Sequence, residues 1–115
     1  MTVIALKCWD KGGDDGILAS LENESGDAVF HTDTSWKCSS VLENDWQYAD
    51  FQATSVNWQN AVKRRDHLNS AKAGQISLDA DWIWTNGDQD TVYCRGEGIA
   101  KGEFLILFHS ISTKL

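Results

Sequence analysis

Residues 2–22 read TVIALKCWDKGGDDGILASLE, and this stretch carries the pattern that decides the fold. Two apolar runs, at 2–8 and 17–22, flank a segment that holds three glycines and three aspartates. Short apolar runs bounded by glycine and aspartate are typical of strands joined by turns. The stretch therefore predicts two β-strands with a turn, 9–16, between them.

The same alternation of short strands and turns continues along the chain. Asn86-Gly87-Asp88 lies between two apolar stretches, and an Asn-Gly turn predicts a β-hairpin there. Period-two alternation places Trp36 and Cys38 on one face of another strand. Further strands are predicted at 28–32, 33–42, 76–86, 90–98 and 102–112.

The middle of the chain, 43–75, carries aromatic residues without a clear period. It is predicted to be loops with one short helical turn, near 49–53 or 58–65. Many short strands without a long helix predict an all-β fold, an antiparallel β-sandwich. With 115 residues, the chain is expected to form one domain, 1–115.

The charge of the chain argues against two classes of partner. The net charge is −7, whereas nucleic acids and anionic membrane surfaces attract basic faces. No apolar run approaches the roughly 20 residues of a membrane helix, so no membrane insertion is expected. The segment MTVIALKCWDK lacks the features of a signal peptide. A cytosolic protein and a mature secreted one therefore both remain open.

Metal and cysteine chemistry are only weakly indicated. Cys8, Cys38 and Cys94 are too few and too scattered for a zinc site. One disulfide with one thiol, or three reduced buried thiols, remain open. The spacing of Asp10, Asp14 and Asp15 differs from an EF-hand loop. No metal and no other cofactor are therefore predicted, with Ca²⁺ held by these aspartates as the alternative.

The sequence carries no motif of a known catalytic mechanism. It lacks the nucleophile elbow, the phosphate-binding loop and the zinc-protease motif. His31, His67 and His109 lie far apart in the sequence. A glycosidase carboxylate pair needs a deep cleft, which a small sandwich seldom provides. The chain is therefore predicted not to be an enzyme.

Four segments in order resemble galactose-binding-like jelly-roll domains. They are VIALKCWDKGGDDGILASLE, TDTSWKCSS, DWQYADFQATSVNWQNAV and DADWIWTNGDQDTVYCR, which together span roughly 3–95. The resemblance implies a jelly-roll sandwich whose usual work is binding carbohydrate, as in lectins and the binding modules of glycosidases. The family's acidic pair is absent from 50–58, and its members generally carry further strands before the first segment. The tail, 99–115, has no counterpart and is expected to replace a missing strand.

The resemblance also sorts the six tryptophans of the chain. Trp46 matches a family position and is expected to be mainly structural. Trp9 has no clear counterpart and lies at a strand end, which makes it the best candidate for exposure. Those at positions the family fills routinely are expected to be core residues: Trp36, Trp58, Trp82 and Trp84.

Two loops combine aromatic rings with polar groups suited to sugars. An aromatic ring can cover the apolar C–H face of a pyranose, while carboxylates and amides pair with its hydroxyls. The loops 9–16 and 43–48 each hold both kinds of group, although the acids of the first can instead form a solvated turn. The predicted carbohydrate-binding residues are Trp9, Asp10, Asp14, Asp15, Asn44, Asp45, Trp46 and Tyr48.

These features predict a lectin or carbohydrate-binding module that recognises a glycan without catalysis. The alternative is a structural or adhesion domain that assembles through its apolar C-terminal strand. That strand, 102–112, needs burial, because an exposed apolar edge invites aggregation. Weak single sugar sites also gain avidity when several are presented together. A homodimer is therefore expected, with 102–112 at or near its interface.

Overall fold

A computed structural model describes residues 2–9, 14–23, 25, 27–64, 79–87, 90–98 and 104–113. The described residues contain strands, turns and no helix, which confirms the all-β prediction. The strands are β1 (Thr2–Trp9), β2 (Asp14–Asn23), β3 (Ala28–His31), β4 (Lys37–Ser39), β5 (Gln59–Asn60), β6 (Val62–Lys63), β7 (Ile83–Trp84), β8 (Thr91–Gly98) and β9 (Phe104–Thr113).

The strands form two antiparallel sheets. Sheet A has the order β1-β8-β4-β5. Sheet B has the order β3-β2-β7-β6, and β9 pairs with β2 along the whole length of that strand. β9 occupies one complete edge of β2. The opposite edge of β2 is therefore shared, end to end, by β3 and β7. Sheet B is thus organised around β2.

Thr32 joins the two short strands that share this edge. Its backbone N–H donates to the carbonyl of Ala19 in β2, at 2.9 Å, and its side-chain hydroxyl donates to the carbonyl of Asp81, at 2.8 Å. The N–H of Asp81 donates in return to the carbonyl of Thr32, at 2.9 Å. Thr32 is fully buried, so these bonds satisfy polar groups that water cannot reach.

The core lies between the two sheets and takes one face from each. Sheet A contributes the inward residues of β1, β4 and β8, and sheet B contributes β2 and β7. The chain crosses from sheet A to sheet B at the buried Ala61, which separates β5 from β6 and donates its N–H to the carbonyl of Trp36 at 2.7 Å. The main cluster is Ile4, Cys8, Ile17, Leu21, Trp36, Cys38, Ala61, Ile83, Trp84, Val92 and Cys94.

The four tryptophans expected in the core are indeed buried, each at most 4% exposed: Trp36, Trp58, Trp82 and Trp84. The indole N–H of Trp36 donates to the carbonyl of His31 at 3.0 Å. Its ring lies against Gly96, where an added Cβ would come within 2.3 Å of Cε2. The close packing of this tryptophan therefore depends on a glycine in β8.

The structure decides between the open cysteine alternatives. Cys38 of β4 and Cys94 of β8 are directly opposite each other and form a disulfide. Both are buried, and the bond joins residues 56 positions apart in sequence. Cys8 is also buried and lies outside the disulfide.

Two local predictions are wrong. The hairpin predicted at Asn86-Gly87-Asp88 does not form, because β7 pairs in sheet B and β8 pairs in sheet A. The chain instead passes from sheet B to sheet A between β7 and β8. At 49–53 the chain forms no helix but a hydrogen-bonded turn, in which the N–H of Phe51 donates to the carbonyl of Tyr48 at 3.2 Å, and within 58–64 β5 and β6 form instead. Cross-strand partners far away in sequence decide where β5, β6, β7 and β8 pair.

Other strand predictions are confirmed with changed bounds. The strand predicted at 33–42 is limited to β4, because turns occupy the residues on both sides. Of the strand predicted at 76–86, residues 76–78 lie outside the described part and only β7 is regular. Asp14, Asp15 and Gly16, predicted as part of a turn, begin β2, since pairing with β9 extends that strand.

Candidate functional site

The outer face of sheet A carries the aromatic and charged residues of the candidate site. Along β1 and β8, alternate residues join the core while the residues between them turn outward. Lys7 lies directly opposite Tyr93, and Trp9 lies opposite Thr91. The outward residues that matter here are Lys7, Trp9, Tyr93, Arg95 and Glu97.

Trp9 is the exposed tryptophan of this face. It is 58% exposed, as the sequence predicted, and stands at the end of β1. Trp9 and Tyr93 are diagonal neighbours across the strand pair, which places their backbones about 7–8 Å apart. The ammonium group of Lys7 lies 5.9 Å from the centre of the Tyr93 ring. An indole surface open to water thus adjoins a packed aromatic ring.

The segment between β4 and β5 covers the centre of the same face with further aromatic rings. Trp46 meets Tyr93 edge to face, with ring centres 5.2 Å apart, and stacks on Trp58 at 6.2 Å. Phe51 meets Trp58 edge to face at 5.6 Å. Trp46 is half-buried, in agreement with its predicted structural role. Its contact with Tyr93 places Trp46 on the same face as Trp9.

Arg95 fastens this segment to the sheet. Its guanidinium donates to the carbonyl of Tyr48 at 2.8 Å, to the carbonyl of Phe51 at 3.4 Å and to the carboxylate of Glu97 at 2.9 Å. It also lies 5.4 Å from the centre of the Phe51 ring. The Arg95 side chain is 1% exposed, so all three bonds have a charged donor that is shielded from water. The conformation of 48–51 is therefore tied to β8.

Backbone turns complete the shape of the predicted 43–48 loop. Asp45 has a φ of 67°, in the left-handed region that aspartate tolerates better than most residues. The N–H of Tyr48 donates to the carbonyl of Asp45 at 3.0 Å. Asn44 and Asp45 are exposed, and Tyr48 is 54% exposed. These predicted site residues are thus available to a ligand.

The aspartates of the first predicted loop are placed differently. Asp14 and Asp15 belong to β2 in sheet B, where they pair with Thr113 and Ser112. Asp10 lies outside the described residues. Among the described residues, no group of three or more histidine, cysteine, aspartate or glutamate side chains could hold a metal ion. The roles of the three aspartates in sugar or calcium binding stay predictions.

A cleft of about 420 Å³ opens beside the segment between β4 and β5, residues 40–58, which we call the covering segment. The sequence analysis did not predict this cleft. Period-two alternation along β8 is the signal that places Arg95 and Glu97 on one face. Its walls come from the covering segment, β8 and the region around β4. The lining residues that matter are Lys37, Phe51, Gln52, Thr54, Arg95 and Glu97.

The described residues include no helix long and apolar enough to cross a membrane.

Comparison of the chain with protein-family models, with curated proteins and with solved structures finds no match.

Proposed function

We propose that this chain is a carbohydrate-binding domain, of the lectin or carbohydrate-binding-module type, that recognises a glycan without catalysis. The observation that carries the proposal is the exposure of Trp9, at 58%, in a chain that buries four other tryptophans almost completely. One exposed apolar residue is ordinary, but here Tyr48 and the half-buried Trp46 lie over the same sheet. Together they offer aromatic surface to a ligand.

The chemistry of this surface suits a pyranose. The indole of Trp9 can cover the C–H face of the sugar, and such aromatic contacts contribute about 0.5–1.5 kcal/mol each. The exposed side chains of Lys7, Asn44 and Asp45 can exchange hydrogen bonds with hydroxyl groups around the ring. A shallow site is sufficient, because water can satisfy whichever polar groups the sugar leaves open.

The resemblance to galactose-binding-like jelly-roll domains supports the same proposal, since these domains usually bind carbohydrate. Asp10, between β1 and β2, and Asp14 and Asp15, at the start of β2, are retained as proposed contributors. Calcium is not required by the proposal. Dialysis against a chelator before a binding measurement separates calcium-dependent from direct recognition.

The test of the proposal is a glycan array followed by titration of the best-bound sugar against Trp9→Ala. We expect the affinity to fall roughly tenfold, equivalent to one aromatic contact, because the platform is lost. The melting temperature should stay nearly constant, since the ring is exposed. Val56→Ala is the control, because Val56 is 87% exposed and lies outside this group. Unchanged sugar affinity in Trp9→Ala, or loss of folding, would contradict the assignment.

A second candidate function is assembly through the C-terminal strand. β9 pairs with β2 over ten residues, and among the described residues it has no other strand partner. Its second edge therefore offers backbone hydrogen-bonding groups to another chain. We propose a homodimer in which this edge lies at or near the interface, as suits either a multivalent lectin or an adhesion domain.

Sedimentation velocity over a micromolar concentration series tests the homodimer. The expected result is a sedimentation coefficient that rises to the dimer value with concentration. A monomer at every concentration, with sugar binding intact, would show that β9 serves only the sandwich of its own chain.

A further inference from the structure

The cleft beside the covering segment continues the outer face of sheet A away from Trp9. Outward positions on β8 run from Thr91, opposite Trp9, to Glu97 at the cleft. At about 3.3 Å per residue, these positions span about 20 Å. The exposed indole and the cleft thus lie toward opposite ends of one face, farther apart than a single sugar ring reaches.

The walls of the cleft combine an aromatic ring with polar groups of both charges. Phe51 is half-buried and lines one side. Glu97 also lines the cleft, and its side chain is 47% exposed. Lys37, from β4, adds an ammonium donor, and Gln52 adds an amide. This is the aromatic-plus-polar composition that saccharide sites require.

Arg95 in the cleft serves the protein more than a ligand. Its terminal nitrogens already donate to two carbonyls and to Glu97, and the side chain is 1% exposed. Glu97 keeps acceptor capacity beyond its bond to Arg95, and Lys37 keeps donor capacity beyond its bond to the side-chain oxygen of Asn60. Donors and acceptors side by side suit sugar hydroxyl groups, each of which does both, and the net charge of −7 disfavours an anionic glycan.

We propose that this cleft is a second saccharide subsite, and that the ligand is a linear, neutral oligosaccharide lying across the outer side of sheet A. The inference rests on the proposed carbohydrate-binding function and specifies its ligand class. Trp9 binds one end of the glycan, Trp46 and Tyr48 lie along its path, and the cleft holds a sugar unit in reach of Phe51 and Glu97.

Two linked subsites make binding depend on chain length. A short glycan occupies either subsite, whereas a long one gains the second contact at high effective concentration. We expect a six-unit oligosaccharide to bind at least about tenfold more tightly than a two-unit one of the same sugar. Cleft variants should remove this difference and leave two-unit binding at Trp9 intact.

The experiment titrates two-unit and six-unit oligomers of glucose, galactose and N-acetylglucosamine into the full chain by calorimetry. Ala49→Phe places a large ring in the cleft, and Gln52→Ala removes a polar wall group. Both positions are exposed, so the fold should tolerate the changes. Val56→Phe is the matched control, because it adds a ring at an exposed position outside this cleft.

The expected result is that Ala49→Phe lowers six-unit affinity to the two-unit level, that Gln52→Ala lowers it partly, and that Val56→Phe changes neither. Trp9→Ala should weaken both lengths. The second subsite is overturned if the wild type binds both lengths with equal affinity, or if Ala49→Phe and Gln52→Ala keep full six-unit affinity. In either case, loss of binding in Trp9→Ala still upholds the proposed carbohydrate-binding function. If no oligomer binds the wild type, the proposed function and the subsite both fail.

Discussion

Individual residues of this protein are selected by contacts that lie far away in sequence. Gly96 illustrates this, because the ring of Trp36 occupies the space where its Cβ would stand. Nothing in the local sequence of β8 requires a glycine there. Tightly packed interiors respond to single added methyl groups, since neighbours can shift only slightly. The tryptophan and the glycine are therefore best understood as one packing unit.

We expect Gly96→Ala to lower the free energy of unfolding by about 1–3 kcal/mol, as overpacking usually does. Urea denaturation measures the change. The double variant Gly96→Ala with Trp36→Phe tests the cause, because the smaller ring frees space for the methyl group. The two effects should then be less than additive. Strict additivity would show that the Trp36 ring is not what the new methyl group meets.

At the scale of the structural element, the segment between β4 and β5 shows how an irregular stretch is held in place. It lacks regular hydrogen bonding to a neighbouring strand over 43–58, yet it contacts Tyr93 and Arg95 on the outer face of sheet A. Arg95 fixes it through two carbonyls, and the rings of Trp46 and Phe51 pack beneath it. A single buried guanidinium therefore couples β8 to the proposed sugar-binding surface.

Arg95→Lys should loosen this segment, because an ammonium group cannot reproduce the fork that reaches both carbonyls. We expect amide hydrogen exchange to accelerate over 46–52, and stability to fall by about 1.5–3 kcal/mol, the contribution of a charged hydrogen bond. Lys63→Ala is the control: Lys63 forms an exposed ion pair with Asp81 at 3.5 Å, worth less than about 1 kcal/mol. Unchanged exchange over 46–52 would argue that the aromatic rings alone hold the segment.

At the scale of the whole molecule, the two sheets are connected by repeated crossings of the chain. β1 lies in sheet A and β2 in sheet B, and the chain crosses again at Ala61 and between β7 and β8. Most contacts are therefore long-range, and the fold needs many distant segments in place together. A disulfide between residues as separated as Cys38 and Cys94 reduces the entropy of the unfolded chain substantially.

We expect the variant Cys38→Ala with Cys94→Ala to lose about 2–4 kcal/mol of stability, in line with other native disulfides. Thiol titration of the unfolded protein provides an independent measurement. One thiol should react before reduction and three after it, because Cys8 lies outside the disulfide. Three reactive thiols in the unreduced protein would exclude the bond.

The sequence by itself determined the class of the fold, the approximate places of its strands, the burial of four tryptophans and the exposure of Trp9. Alternation along a strand and the turn preferences of glycine and aspartate are local properties, so they can be recognised without knowing any partner strand. The sequence also identified Trp46 and Tyr48 as candidate site residues.

Only the tertiary structure decided which strands pair. It separated β7 from β8, extended β2 through pairing with β9, joined Cys38 to Cys94, and assembled the cleft around Arg95. Each of these depends on contacts between segments tens of residues apart. Such contacts are chosen by the free energy of packing and hydrogen bonding of the whole chain, which no local pattern encodes.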